Sequence, residues 1–420
     1  MRYAAPRGTA DILPKDSPRW QYVEEKFRET CRLYGYEEIR TPTFEETELF
    51  TRSIGEHTDI VSKEMYTFVD RGERSLTLRP EGTAPVVRAY LQHNLSGEKP
   101  VNKLYYITSI FRYERPQAGR YREHHQVGVE ALGSQDPAID AEVIALGMQY
   151  LASLGISGLE LKINSVGCPG CRPVYRDELK RAVEPYVAEL CDSCRVRYQA
   201  NPLRMLDCKV PHCSELTVNV PSLSDHLCDE CAEHHSKVLH YLDLLGVEYT
   251  LDSRLVRGFD YYTKTAFEVQ STDLGAQSAV LGGGRYDLLV AEMGGQSTPA
   301  VGFGSGIERT LAIMEAQGIE IPDGTHPSVF VVTLGDAPRV AGIKLLADLR
   351  RAGIPAETDY AGKSMKAQMR SADREKAKFV VIVGEDELNR GEVKVRNMAT
   401  REETAVPISE VVGWFKCTLG

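Results

Sequence analysis

Eight of the ten cysteines crowd into residues 168–231, in four pairs: Cys168-x2-Cys171, Cys191-x2-Cys194, Cys208-x4-Cys213 and Cys228-x2-Cys231. This stretch is rich in Cys, Pro and Asp and poor in strand signals, so it does not continue the pattern of its neighbours. Residues 164–246 therefore read as a cysteine-rich insertion. Strand signals stand on both sides of it. YEEIRTP, SLTLRP, KLYYITSIFRYE and QVGVEAL come before, and YTLDSRLVRGFDYYTKTAFEVQ and SAVLGGGRYDLL after. With helices near 137–154 and 304–317, the two flanks, 1–163 and 247–320, make one α+β domain. Its first helix is capped by Asp16 or Ser17, takes Pro18 in its first turn and stops at Gly35. Val23, Phe27, Cys31 and Tyr34 form its apolar face.

IPDGTHP (321–327) reads as a linker. Beyond it, strands SVFVVTLG, PAETDYA, FVVIVG and EVKVRN alternate with helices PRVAGIKLLADLRRAG and KSMKAQMRSADREKA, and a last helix follows. That order predicts a small α/β domain over 328–420. No apolar run has the length of a membrane span, and MRYAAPRGTADILP lacks the apolar core of a signal peptide. A cytoplasmic protein is the expectation. In that compartment cysteine pairs point to structural zinc more than to disulfides. The nineteen residues between Cys171 and Cys191 fit a four-cysteine zinc site. Sequential pairing of the motifs gives two such sites, alternating pairing is the other arrangement, and free thiols are the alternative to both. His212, His226, His234 and His235 are further candidate ligands.

The chain carries a net charge of -10. An acidic balance argues against a nucleic-acid partner unless basic charge is concentrated where it is used. Residues 328–420 hold 15 Lys+Arg and 13 Asp+Glu, which leaves -12 on the rest. Within that domain KSMKAQMRSADREKAK (363–378) carries six Lys+Arg against two Asp+Glu. A second concentration is FRYERPQAGRYREHHQVGVE (111–130), where Arg112, Arg115, Arg120 and Arg122 fall within eleven residues. Guanidinium groups match phosphate oxygens in bidentate geometry, so a polyphosphate is the fitting ligand. In the strand that follows, Gln126, Gly128 and Glu130 share one face, with the glycine leaving room for a ligand. A solvated strand face is the alternative. No standard nucleotide loop accompanies these residues. GKS (362–364) lacks the required glycine at Glu357, and GFGSG (302–306) does not fit GxGxxG.

These segments resemble a known family. FRYERPQAGRYREHHQVGVEALG is similar to motif 2 of the class II aminoacyl-tRNA synthetases in its histidyl form. LVRGFDYYTKTAFEV (255–269) resembles the histidine-specific signature of the histidyl-tRNA synthetases, with Phe259 where leucine is more usual. GGGRYD (282–287) resembles its companion segment and GFGSGIERT (302–310) motif 3. RGTADILP, YEEIRTPTFEETELF and TLRPEGTAPVVRAY fit the N-terminus, the dimer-forming motif 1 and the amino-acid-binding loop. The resemblance covers nearly the whole chain outside the cysteine-rich stretch. It implies an antiparallel six-stranded sheet with helices and a C-terminal α/β anticodon-binding domain. It also implies a homodimer that joins histidine to the terminal adenosine of tRNA(His) through histidyl-adenylate, using ATP and Mg²⁺.

Site residues follow from motif position. Arg112 would hold the α-phosphate, Arg120 the triphosphate end and Arg309 the γ-phosphate. Arg257 would stand on the opposite side of the reacting phosphoryl group, and Mg²⁺ would bridge phosphate oxygens. Glu114 and Tyr121 complete the ATP site, and Arg115 and Gln117 would meet the tRNA acceptor end. Glu81, Thr83 and Gln126 would accept from the α-amino group of histidine. Glu130 would take one imidazole N–H and Tyr262 would serve the other nitrogen, with Tyr261 and Tyr286 beside them. Gly282, Gly283 and Gly284 would let backbone approach the substrate. Such a pocket rejects amino acids lacking those groups by roughly 10⁴–10⁵, which needs no editing domain. Two rivals remain: a regulatory subunit of histidine biosynthesis that keeps the fold without the chemistry, and a class II synthetase for another amino acid.

Overall fold

The computed structural model describes residues 3–55, 58, 60–114, 121–259, 261–273, 278–321 and 326–419. The chain forms two compact units, Met1–Ile321 and Pro322–Gly420. The first contains strands β1 (Glu37–Glu38), β2 (Phe44–Glu46), β3 (Tyr66–Val69), β4 (Ser75–Leu78), β5 (Asn102–Phe111) and β6 (Glu123–Leu132). It continues with β7 (Leu159–Ser165), β8 (Thr250–Leu251), β9 (Thr263–Ser271), β10 (Ala279–Arg285) and β11 (Ala300–Gly306). The main sheet runs β1-β5-β6-β11-β10-β9-β7-β8, and β2-β4-β3 form a small sheet of their own. The expected count of six strands is thus corrected to eight. The six central strands pair antiparallel throughout, and β1 and β8 add two-residue parallel edges. A two-residue strand is too short to leave a periodic signal.

One face of this sheet carries helices. Val127 and Val129 of β6 meet Phe267 and Val269 of β9 and Phe303 of β11 in one buried cluster. Helix Ser17–Leu33 adds Val23, Phe27 and Cys31, and Phe27 sits edge-on to Tyr150 of helix Pro137–Ser153 at 5.1 Å. Asp136 caps that second helix through the amide of Ala138, with Pro137 in its first turn. The expected cap of the first helix is not made. Asp16 stands at the N-cap position without a side-chain bond, and the Ser17 hydroxyl donates to the carbonyl of Leu13. The helix expected over 304–317 spans Ile307–Ala316, because Gly304–Gly306 belong to β11.

A buried ion pair ties the layers together. Arg285 of β10 is fully buried and bonds both carboxylate oxygens of Asp140, on helix Pro137–Ser153. The ring of His234, on helix Asp229–Leu244, stands 3.3 Å from the same carboxylate. Burial works to raise the pKa of Asp140, but the Arg285 charge and the bonds from His234 and Arg285 outweigh it and hold the carboxyl at about 2.

Between β7 and β8 the described residues form helices and turns and no strand. Their core, with Tyr175, Leu179, Met205 and Leu223, is continuous with the face of the sheet opposite the helices. The cysteines meet in two groups, Cys168, Cys171, Cys228 and Cys231, and Cys191, Cys194, Cys208 and Cys213. This is nested pairing and corrects both the sequential and the alternating arrangement. The first pair follows β7 and the last begins helix Asp229–Leu244, so entry and exit of the insertion lie side by side. None of His212, His226, His234 and His235 joins either group.

The second unit contains β12 (Val329–Thr333), β13 (Ala356–Thr358), β14 (Phe379–Val383), β15 (Glu392–Asn397) and β16 (Glu403–Pro407), in the order β13-β12-β14-β15-β16. β13, β12 and β14 are parallel, and β15 and β16 run antiparallel. β16 escapes a reading by pattern because Val406 is its one buried residue. Helix Met365–Arg374 buries Gln368, Ser371 and Ala372 and leaves Lys366, Arg370 and Arg374 exposed.

Candidate active site

The site lies on the face of the sheet opposite helices Ser17–Leu33 and Pro137–Ser153. Alternation along β6 puts Gln126, Gly128 and Glu130 there. The face is not solvated, since Glu130 is 1% exposed. Nor is the room above Gly128 left for a ligand, because the Tyr106 ring of β5 occupies it. The Tyr106 hydroxyl accepts from Gln126 Nε2 at 3.1 Å and reaches Glu130 Oε1 at 3.4 Å. Thr83 Oγ1 donates to the same Glu130 oxygen at 2.7 Å, and the Tyr286 hydroxyl donates to the other. Burial pushes the Glu130 carboxyl up to about 8 against those bonds, and the nearby Glu81 adds to the rise. Glu81 lies at the start of helix Thr83–Gln92, where its two oxygens accept from the amides of Thr83 and Ala84 at 2.7 Å each. Burial raises its pKa more than those amides lower it. Tyr261 and Tyr262 stand together with centroids 4.7 Å apart, and Tyr261 meets Tyr286 edge-on at 5.6 Å.

These groups line a cavity of about 770 Å³. A second cavity of about 290 Å³ joins it through Arg112, Gln126, Arg257, Glu268, Gly282 and Gly304, which line both. Three arginines from separate segments meet in this second space. Arg112, just past β5, is anchored through Nε on the carbonyl of Pro80 at 2.8 Å. Arg257 bonds Glu268 at 2.9 Å, and its Nε is a buried donor with no hydrogen-bond partner among the described residues. Arg309, in the first turn of helix Ile307–Ala316, donates to the carbonyl of Ala279 at 2.7 Å. Glu114 and Tyr121 line the same cavity. His124 completes it, and burial together with the Arg112 and Arg309 charges keeps the imidazole neutral, with a pKa of about 3.

The glycine-rich segments have a different use from the one expected. GFGSG is not a loop but most of β11, between β6 and β10. A Cβ at Gly302 would strike the Glu130 carboxylate and one at Gly304 the Gln126 amide. On β10, Gly282 clears the Arg257 guanidinium and Gly284 the Tyr262 ring, while Gly283 faces the backbone of Gly302 and Phe303. These glycines admit the protein's own polar side chains. Gly282 lines the cavities, and Gly283 and Gly284 do not.

Of the residues singled out from the sequence, Glu81, Thr83, Arg112, Glu114, Tyr121, Gln126, Glu130, Arg257, Tyr261, Tyr262, Gly282, Tyr286 and Arg309 line one or both cavities. Arg115, Gln117 and Arg120 lie outside the described residues. Tyr106, His124 and Glu268 were missed. Strand alternation carried back from Arg112 reaches Tyr106, and carried back from Gln126 reaches His124. Glu268 sits between Ala266 and Gln270 on one face of β9, where nothing local marks it as the partner of Arg257.

Joining a carboxylate to a nucleoside triphosphate needs fixed cations around the reacting phosphorus and a recognition pocket one residue away. The antiparallel sheet here supplies both on one face, which is the design of a class II aminoacyl-tRNA synthetase. Residues 8–169 and 214–310 match the histidyl-tRNA synthetase family model, and 328–418 match an anticodon binding domain. The histidine–tRNA ligase of Caldanaerobacter subterraneus subsp. tengcongensis is 54% identical over 411 residues, covering 98% of this chain and 99% of that protein. That of Moorella thermoacetica is 53% identical over 416 residues, covering 99% and 98%. The crystal structure of apo S. aureus histidyl-tRNA synthetase superposes with a TM-score of 0.85 at 41% identity, covering 99% of this chain and all of that one. The chain belongs to the histidyl-tRNA synthetase family and is a histidine–tRNA ligase. No helix among the described residues is long and apolar enough to cross a membrane.

Proposed function

We propose that the larger cavity selects histidine and the smaller one holds the ATP triphosphate, with the reaction at their junction. One observation carries this reading: the histidine-side carboxylate Glu130 and three arginines line two cavities joined at Arg257. A histidine carboxylate oxygen attacks the α-phosphorus, a new P–O bond forms, and the bond to the β-phosphate oxygen breaks with release of pyrophosphate. The nucleophile is already ionised, so this step needs no base. Arg112 and Arg257 stabilise charge on the α-phosphoryl oxygens, and Arg309 the far end of the triphosphate. Each fixed cation of this kind is worth ~3 kcal/mol in the transition state. In the second step the terminal adenosine hydroxyl of tRNA(His) attacks the histidyl carbonyl, and AMP leaves.

Glu114 and Glu308 line the phosphate cavity and offer the hard oxygen donors that suit Mg²⁺. Mg²⁺ bound there would offset triphosphate charge. Glu81, Thr83 and Gln126 would hold the α-amino group, and Glu130 and Tyr262 the imidazole nitrogens. Arg115, Gln117 and Arg120 keep the roles implied by the family motif, in acceptor-end and triphosphate contact. We assign 1–163 and 247–320 to the catalytic domain, 164–246 to the insertion and 328–420 to anticodon binding, with exposed Lys366, Arg370 and Arg374 facing phosphate. The resemblance of YEEIRTPTFEETELF to motif 1 supports a homodimer. The free cysteines suit the cytoplasm, and structural Zn²⁺ suits the two cysteine groups.

The test is ATP–pyrophosphate exchange with each of the twenty amino acids. Exchange with histidine alone, lost in Arg257→Ala, is the expected result. Histidine binding without exchange would instead favour the regulatory rival, and exchange with another amino acid would overturn the pocket assignment.

A further inference from the structure

The two cysteine groups differ in what they touch. In each, the four sulfurs lie within 4.8 Å of one another. Cys168 stands 3.6 Å from Cys171 and 3.9 Å from Cys228, and Cys191 stands 3.9 Å from Cys208. A tetrahedron of sulfurs around zinc, at about 2.3 Å from the metal, has edges of about 3.8 Å. Disulfides would instead bring pairs to about 2.05 Å. Backbone amides point at the sulfurs: Gly170 N to Cys168 at 3.3 Å, Cys228 N to Cys171 at 3.1 Å and Cys191 N to Cys213 at 3.2 Å. Such bonds offset thiolate charge and fix ligand orientation.

Resting on the zinc assignment above, we propose that the chain holds two zinc ions and that the outer one, on Cys168, Cys171, Cys228 and Cys231, positions the histidine pocket. The links run through residues next to its ligands. Arg172 follows Cys171 and donates to the carbonyls of Val166 and Tyr262. Glu230 precedes Cys231 and accepts from Lys264 Nζ at 2.7 Å. The Lys264 backbone is tied to the same segment, its amide to Gly167 O at 2.9 Å and its carbonyl to Val166 N at 2.7 Å. Lys264 has a φ of 50°, in the left-handed region that a side-chain-bearing residue keeps only when its surroundings impose it. The outer group thus sets the backbone at the start of β9, where Tyr261 and Tyr262 enter the pocket. The inner group, on Cys191, Cys194, Cys208 and Cys213, makes none of these links to the start of β9. Its neighbours Leu206 and Thr217 accept from Arg254, and Cys208, Lys209 and Ser214 line the larger cavity without bonding to Tyr261, Tyr262 or Lys264.

The experiment uses full-length protein and reads zinc per chain by mass spectrometry, KM for histidine and ATP in pyrophosphate exchange, and hydrogen exchange at the Lys264 amide. Wild type is expected to carry two zinc ions, and Cys231→Ser and Cys194→Ser one each. Cys231→Ser should raise the histidine KM about tenfold with the ATP KM held, and unprotect the Lys264 amide. Cys194→Ser should move the histidine KM less and leave that amide protected. Glu230→Gln keeps both ions and weakens the link, so it should shift the histidine KM in the same direction even where Cys231→Ser fails to fold. Fewer than two zinc ions per chain in wild type would overturn the metal assignment. Two zinc ions with histidine KM and Lys264 protection unmoved in Glu230→Gln, or moved equally by both cysteine variants, would overturn the positioning role alone.

Discussion

At the proposed histidine end of the cleft, Glu130 is already bonded to Thr83, Tyr106 and Tyr286. At the proposed phosphate end, Arg112 and Arg309 donate to backbone carbonyls and Arg257 to a carboxylate. The difference follows from the ligands. A small neutral ring must be told from other side chains of its size, so the pocket fixes its polar groups in place and leaves a mismatched amino acid with unpaired partners. A triphosphate is recognised by charge, and a guanidinium group offers five donors in a fixed fork that matches phosphate oxygens. Arg285, at the end of β10, is the control. It is as cationic as Arg257 but is enclosed with Asp140 and serves the fold.

The largest expected effect is on that control. Asp140→Ala leaves Arg285 buried beside a lost charge and should cost about 3–5 kcal/mol of stability by chemical denaturation. The histidine KM of the folded fraction should stay unchanged, and a large KM shift would blur the line between structural and functional arginine. Because the Asp140 pKa is lowered to about 2, its contribution is present above the unfolded-state value near 4 and lost as pH falls toward 2. Next comes Arg257→Ala, which should lower kcat for pyrophosphate exchange by roughly 10²–10³ with little change in histidine KM. A histidine KM effect of equal size would mean that the two ends are not separate.

Glu130→Gln should raise the histidine KM by roughly 10–100-fold, the size of one hydrogen bond to a charged group. Its pKa of about 8 keeps Glu130 largely protonated in the empty pocket at neutral pH. The group's stabilisation of the empty enzyme is full below pH 4.5 and fades as pH rises through 8. If histidine binds the ionised form, binding near pH 7 releases about one proton, visible by calorimetry in buffers of different ionisation enthalpy. Equal release by wild type and Glu130→Gln would show that another group titrates. The smallest effect expected is that of Tyr106→Phe. Losing one neutral hydroxyl costs about 0.5–1.5 kcal/mol, a rise of several-fold in histidine KM with ATP untouched.

Much of this was legible in the chain. β6 could be read because QVGVE alternates and carries Gln126 and Glu130 at the right period. Helix Ser17–Leu33 could be read from its apolar spacing, although its cap was not. The segments 111–130, 255–269 and 302–310 named the family because each is a local run whose residue types suit one chemistry. What escaped was pairwise across distance. The Arg257–Glu268 pair, the filling of the Gly128 space by Tyr106 and the clearing of Glu130 by Gly302 depend on strand register, which no single strand records.

The cysteines draw the same boundary most sharply. The sequence by itself determined that eight thiols at metal-ligand spacing interrupt a sheet, and that two groups of four could form. Only the tertiary structure decided that the outermost pairs meet each other, because the chain leaves the sheet after β7 and returns on helix Asp229–Leu244 beside its point of departure. Spacing along the chain restricts which ligands can pair locally, whereas closure of a sixty-residue excursion costs little more entropy than closure of a twenty-residue one. The packing around the sheet therefore chose the partners.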